Sequence, residues 1–138
     1  METTSPARLY ATLVGGALVI IGIIGFFYTS SFATGDELIA EEEFGFLAVN
    51  GWENVVHIVA GLIGLAAAGT TASARLYSLG FGAIYVVLTI WGFADESILG
   101  LILVNDEANV VHLILGITGI GAGLATPTVE PPARARAT

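Results

Sequence analysis

Four long apolar stretches alternate with short polar ones along this chain. They cover residues 9–28, roughly 51–69, 76–94 and roughly 106–126. Each approaches the ~20 residues that a helix needs to cross ~30 Å of hydrocarbon. The second and fourth begin on polar residues. Asn50 and Asn105 read as helix N-caps, followed by Glu53 and by Asp106 and Glu107 in the first turn, where acids favour the helix dipole. The pattern therefore predicts an all-α membrane protein with four transmembrane helices.

Charge then orients the spans. Arg8 precedes the first, Arg75 lies between the second and third, and Arg134 and Arg136 follow the fourth, so all four arginines fall on one side. The other side holds Asp36, Glu37, Glu41, Glu42, Glu43, Glu53, Asp95, Glu96, Asp106 and Glu107. Basic residues near span ends mark the cytoplasmic side, which puts both termini inside the cell in a multi-pass plasma-membrane protein. Tyr10 and Tyr77 beside the arginines, with Tyr28, Trp52 and Trp91 towards the other end, read as interfacial aromatic belts. The stretch Ser31-Phe32-Ala33 is a poor cleavage site, so the first span reads as retained rather than as a signal peptide.

Composition agrees with the lipid reading and narrows the chemistry. Of 138 residues, 55% are hydrophobic and 12% charged, with a mean hydropathy of +0.85. A soluble domain carries about a quarter charged residues. Without cysteine, and with methionine only at position 1, any metal site must use His57, His112 or carboxylates. Twelve acids against four arginines leave a net charge of −8, which excludes nucleic acid as a partner. Heavy acid usage without lysine is also a composition of proteins adapted to high salt.

The second and fourth stretches are copies at an offset of 55 residues. Residues 44–65 read FGFLAVNGWENVVHIVAGLIGL and residues 99–120 read LGLILVNDEANVVHLILGITGI. The first and third repeat at an offset of 67, with Arg8-Leu9-Tyr10, Gly15 and Gly25-Phe26 against Arg75-Leu76-Tyr77, Gly82 and Gly92-Phe93. Chance apolar similarity does not place the same Asn, Asn, His and Gly at the same intervals. One domain over residues 1–126 is expected, as two parallel helix-pair repeats (about 7–69 and 75–126) related by an axis along the membrane normal. Residues 127–138, with three prolines and alternating Ala-Arg, read as a disordered cytoplasmic tail.

The doubled Asn-Val-Val-His-x6-Gly element, the doubled Arg-Leu-Tyr, and Tyr85 before Trp91-Gly92 resemble an uncharacterised family of small prokaryotic four-helix membrane proteins. The resemblance covers roughly residues 7–125. Members often carry a histidine directly before the first Asn-x-x-His, where this chain has Glu53. The resemblance implies the topology and no particular activity.

Asn50, Asn54, His57, Gly61, Gly64 and Ala68 fall at steps of four and three, as do Asn105, Asn109, His112, Gly116, Gly119 and Gly123. Such spacing puts each set on one helix face. Polar groups avoid lipid and small residues let helices approach closely, so these faces point into the bundle, with Gly61, Gly64, Gly116 and Gly119 as packing points. The companion helices carry a similar small face, Ala11, Gly15 and Gly22 against Ser78, Gly82 and Thr89. Three readings of the histidines follow. In the first, His57 and His112 belong to a hydrogen-bond network with Asn54 and Asn109 inside a structural or accessory membrane subunit without a cofactor, alone, as a homo-oligomer or within a larger complex. In the second, both ligate a haem b or a divalent metal, with Asn54 and Asn109 orienting the rings and Glu53 as a further ligand to a metal. The third makes them proton or substrate groups of a small transporter that works as an oligomer.

Within the spans there is no serine–histidine–acid set, phosphate loop or pair of acid–base carboxylates, so an enzyme is not expected. The acids of residues 36–43 match no calcium-loop spacing and read as a solvated loop. The apolar runs 44–49 and 99–104 are too short to span and read as interfacial or re-entrant pieces leading into the helices that follow.

Overall fold

Four helices are each started by a short polar side chain that satisfies a free backbone N–H. The computed structural model describes residues 4–38, 43–44 and 47–128, and its helices are α1 (Pro6–Gly25), α2 (Gly51–Ala67), α3 (Thr71–Ala94) and α4 (Asp106–Ala125). The side chains of Ser5, Asn50, Thr70 and Asn105 accept from the backbone N–H of Arg8, Glu53, Ser73 and Ala108, removing one orphan donor each. Pro6 opens α1, where its missing N–H costs nothing. Glu41 and Glu42 of the acidic loop, and the tail from residue 129 with Arg134 and Arg136, lie outside the described residues.

Three of the helices, α1, α3 and α4, are long and apolar enough to cross a membrane. The second is shorter, at 17 residues, or about 26 Å at 1.5 Å per residue. It stops where the chain must turn tightly, because Thr70 already caps α3.

The packing is the inverse of a water-soluble bundle. Large apolar side chains point outward, among them Leu13, Ile20, Leu62, Leu76, Ile90, Ile117 and Leu124, each more than half exposed. The buried helix positions are largely small or polar, such as Ala7, Ala11, Gly15 and Gly22 on α1 and Ala74, Ser78, Gly82 and Thr89 on α3. Glycines set the approach of α1 to α2 and of α3 to α4. A Cβ at Gly61 would lie 2.6 Å from the Gly15 carbonyl oxygen, and one at Gly82 would lie 2.7 Å from that of Gly116.

The two pairs are joined crosswise. The Tyr10 hydroxyl on α1 donates to the Leu115 carbonyl of α4 (2.6 Å), and the Tyr77 hydroxyl on α3 donates to the Ala60 carbonyl of α2 (3.1 Å). Both tyrosines are buried, which corrects their reading as interfacial anchors: a phenol fills space between helices and still finds an acceptor there. Tyr77, Phe81 and Tyr85 stack one turn apart along α3, with ring centroids 5.1 and 4.0 Å apart, and Tyr10 meets Phe81 edge-on. At this end of the bundle the Arg8 Nε donates to the carbonyl of Ala68 just past α2, and the Arg75 Nε to that of Thr126 just past α4. Each arginine thus satisfies a free carbonyl where the helix dipole is negative.

The opposite end is closed by short hairpins. Strands β1 (Glu43–Phe44) and β2 (Leu47–Ala48) pair antiparallel, as do β3 (Ser97–Ile98) and β4 (Ile102–Leu103). These replace the interfacial or re-entrant pieces expected before each N-cap. A run too short to span must still pair its backbone groups, and a hairpin does so within a few residues. Ala48, Val49, Ile98, Leu103 and Val104 are buried, so the runs cover the bundle end. The two connections also hold each other. The Gly35 N–H donates to the Gly100 carbonyl (2.9 Å) and the Asn50 amide to the Leu101 carbonyl (2.8 Å).

Candidate functional site

Beneath this hairpin cap, the first turns of α2 and α4 place their polar residues inward. On α2 the buried set includes Glu53, Asn54, His57, Gly61 and Gly64; on α4 it includes Ala108, Asn109, His112, Gly116 and Gly119. The steps of three and four residues keep each set on one face. The two sets correspond at the 55-residue offset except at one position, where Glu53 faces the role of Ala108. Among the described residues the site therefore holds two histidines and a single carboxylate.

The structure brings His57 and His112 together, with Glu53 as a third member. One donor atom from each of the three lies within 4.8 Å of the others. Glu53 Oε1 is 3.9 Å from His57 Nε2, too long for a hydrogen bond. All three residues are buried, Glu53 at 4% exposure and the histidines at 9% and 8%. Glu53 Oε2 and the Nδ1 atoms of both rings lack a hydrogen-bond partner among the described residues. Tyr85, the last ring of the α3 ladder, meets His112 edge-on at 5.0 Å. Two cavities of about 20 and 40 Å³ flank the cluster, and Glu53, His57 and His112 line both. Their remaining walls are largely apolar, with Leu88, Ile98 and Ile102 on one and Leu18, Leu47 and Val111 on the other.

Asn54 and Asn109 are buried but turned elsewhere. The Asn54 amide donates to the Thr29 carbonyl (3.1 Å), while its Oδ1 and both polar atoms of the Asn109 side chain have no hydrogen-bond partner among the described residues. Each packs on a glycine of the companion helix, so that a Cβ at Gly25 or Gly92 would overlap the Asn54 or Asn109 amide. Hydrogen bonds from these amides to the imidazoles are not part of the arrangement. Gly64 and Gly119 receive the Tyr77 and Tyr10 rings, and a Cβ at either glycine would lie 2.7 Å from the tyrosine hydroxyl.

Sequence reasoning placed Glu53 among the acids of one membrane side and, should the histidines hold a metal, named it as a further ligand. Its spacing of four from His57 carried the signal, since residues at that spacing share a face. The places of Tyr10, Tyr77 and Tyr85 depend on which helix each one crosses, which spacing along the chain does not encode.

No curated protein and no solved structure matches the chain. A family described as a domain of unknown function, DUF4383, matches residues 8–125. That span takes in all four helices, both histidines and Glu53. The chain belongs to this family of unknown function.

Proposed function

We propose that the chain spans the plasma membrane four times, with both termini and the Arg75 turn in the cytoplasm, and serves as a structural or accessory membrane subunit built around the buried Glu53–His57–His112 site. The observation that carries this reading is the inverted packing. Large side chains such as Leu13, Leu76 and Leu124 face outward while Gly, Ala, Ser, Asn and His are buried. Water would penalise that surface, whereas lipid matches it and rewards close small-residue packing. All four helices present such faces, including the 17-residue α2, whose outer end is extended by a hairpin.

Two parallel repeats about an axis along the membrane normal account for the reciprocal contacts. Arg8 and Arg75, Tyr10 and Tyr77, and Gly15 and Gly82 each act alike at the 67-residue offset, on partners 55 residues or close to that apart. We assign no reaction to the site, whose polar side chains are two histidines and a carboxylate. Cavities of about 20 and 40 Å³ accommodate one or a few waters or a small ion. Ligand pockets for larger molecules run to about 300 Å³ or more, so the cavity size favours a small occupant over a haem or a carried solute.

Single cysteines test the topology cleanly, because the chain has none of its own. Thr34→Cys and Glu96→Cys are expected to react with an impermeant thiol reagent added to intact cells. Thr4→Cys and Ala72→Cys are expected to react only after the cells are opened. Labelling of Ala72→Cys from outside contradicts the four-span arrangement.

A further inference from the structure

The three donors beneath the hairpin cap do not satisfy one another. Glu53 Oε2 and an Nδ1 on each of His57 and His112 have no hydrogen-bond partner among the described residues, inside walls that are largely apolar. Buried polar groups without partners are costly, and native structures usually pair them with protein, water or an ion. One donor atom from each residue falls within 4.8 Å of the others, with Glu53 Oε1 and His57 Nε2 3.9 Å apart. Ligands of a zinc-like ion sit about 2.0–2.2 Å from it, hence about 3.4 Å from each other in a tetrahedron.

From this geometry we infer that Glu53, His57 and His112 bind one divalent transition-metal ion in the zinc class, with a fourth coordination position left open. This rests on the reading of the chain as a bundle in which α2 and α4 turn these faces inward. Two imidazoles and a carboxylate suit zinc and its neighbours. Calcium and magnesium, which take oxygen ligands, match the set poorly. The Glu53 carboxylate offsets part of the ion's charge. The position equivalent to Glu53 in the second half is Ala108, which offers no ligand, so the surroundings of the ion are asymmetric. Tyr85, edge-on against His112, limits that ring's rotation, as neighbours of metal ligands commonly do. The cap end also favours cation entry. Asp36, Glu37, Asp95, Glu96, Asp106 and Glu107 lie there, while Arg8 and Arg75 bind carbonyls at the opposite end.

The test uses the full-length protein in detergent, purified on an affinity tag without histidine. Cobalt(II) serves as the spectroscopic probe and zinc(II) as the competitor. The wild type is expected to give visible cobalt absorption that saturates at one ion per chain and is displaced by zinc. Zinc is also expected to raise its melting temperature, as any ligand of the folded state does. Glu53→Gln, His57→Ala and His112→Ala should each weaken binding at least about tenfold, while Asp106→Asn with Glu107→Gln leaves it unchanged. A wild type without saturable cobalt absorption and without a zinc-dependent melting shift overturns the proposal, whatever the variants do. So does binding that survives all three site substitutions or is lost with the surface acids. External labelling of Thr34→Cys and Glu96→Cys but not of Ala72→Cys, together with no metal binding, rejects the metal site and leaves the four-span reading standing.

Discussion

Glu53 lies at 4% exposure three residues past an N-cap, and its counterpart in the second half is Ala108. A glutamate in a first helical turn is equally well explained by the helix dipole, so its position alone made it no more than a further ligand beside the histidines. His57 and His112 were legible because they recur with their asparagines and glycines at one offset. The partners of Asn54 and Asn109 were not legible, because a buried amide's choice of acceptor depends on the neighbouring helix. Leu99 is a different kind of exception. It takes φ +56° beside Gly100 at +65°, in a turn closed by the Leu101 N–H donating to the Ile98 carbonyl (3.1 Å). Positive φ at both central residues is the hairpin geometry that favours Asn and Gly, and a branched side chain there costs about 1–2 kcal/mol. Leu99 is 69% exposed, so little packing compensates. Leu99→Asn should therefore raise stability by up to about 1 kcal/mol, read as a higher melting temperature in detergent. A lower one would mean that the leucine makes a contact that outweighs its backbone strain.

At the scale of elements, the hydropathy pattern located all four helices within a few residues, and the polar N-caps marked where α2 and α4 begin. It missed the hairpins, since apolar runs of six residues leave strand, helix and interfacial segment undistinguished. The helix faces can be tested at a single adjacent pair of glycines. A Cβ at Gly15 would come within 2.9 Å of the Gly61 carbonyl oxygen and 3.0 Å of the Leu65 nitrogen, both backbone atoms that cannot rotate away. A Cβ at Gly16, the next residue, meets nothing within 4 Å. Gly15→Ala should force α1 from α2 and cost about 1–3 kcal/mol, whereas Gly16→Ala should gain about 0.5–1 kcal/mol from helix propensity. Thermal unfolding of both variants in detergent provides the comparison. Equal midpoints would mean that α1 and α2 do not meet at Gly15.

Across the whole molecule, the two helix pairs hold together through small contacts at both ends and a polar cluster between them. The crossing tyrosines join α1 to α4 and α3 to α2, the arginines close one end, and the joined hairpins close the other. This arrangement turns positions 55 residues apart either both inward, as at His57 and His112, or both outward, as at Val59 and Ile114. The distinction gives the most direct test of the account. In native membranes, the His57→Cys/His112→Cys double variant should be bridged within one chain by a short bifunctional thiol reagent, so that its intact mass rises by a single linker. The Val59→Cys/Ile114→Cys variant, with both positions facing lipid on different helices, should take up two. One linker on the outward pair, or two on the inward pair, would contradict a bundle that gathers both histidines into one buried site.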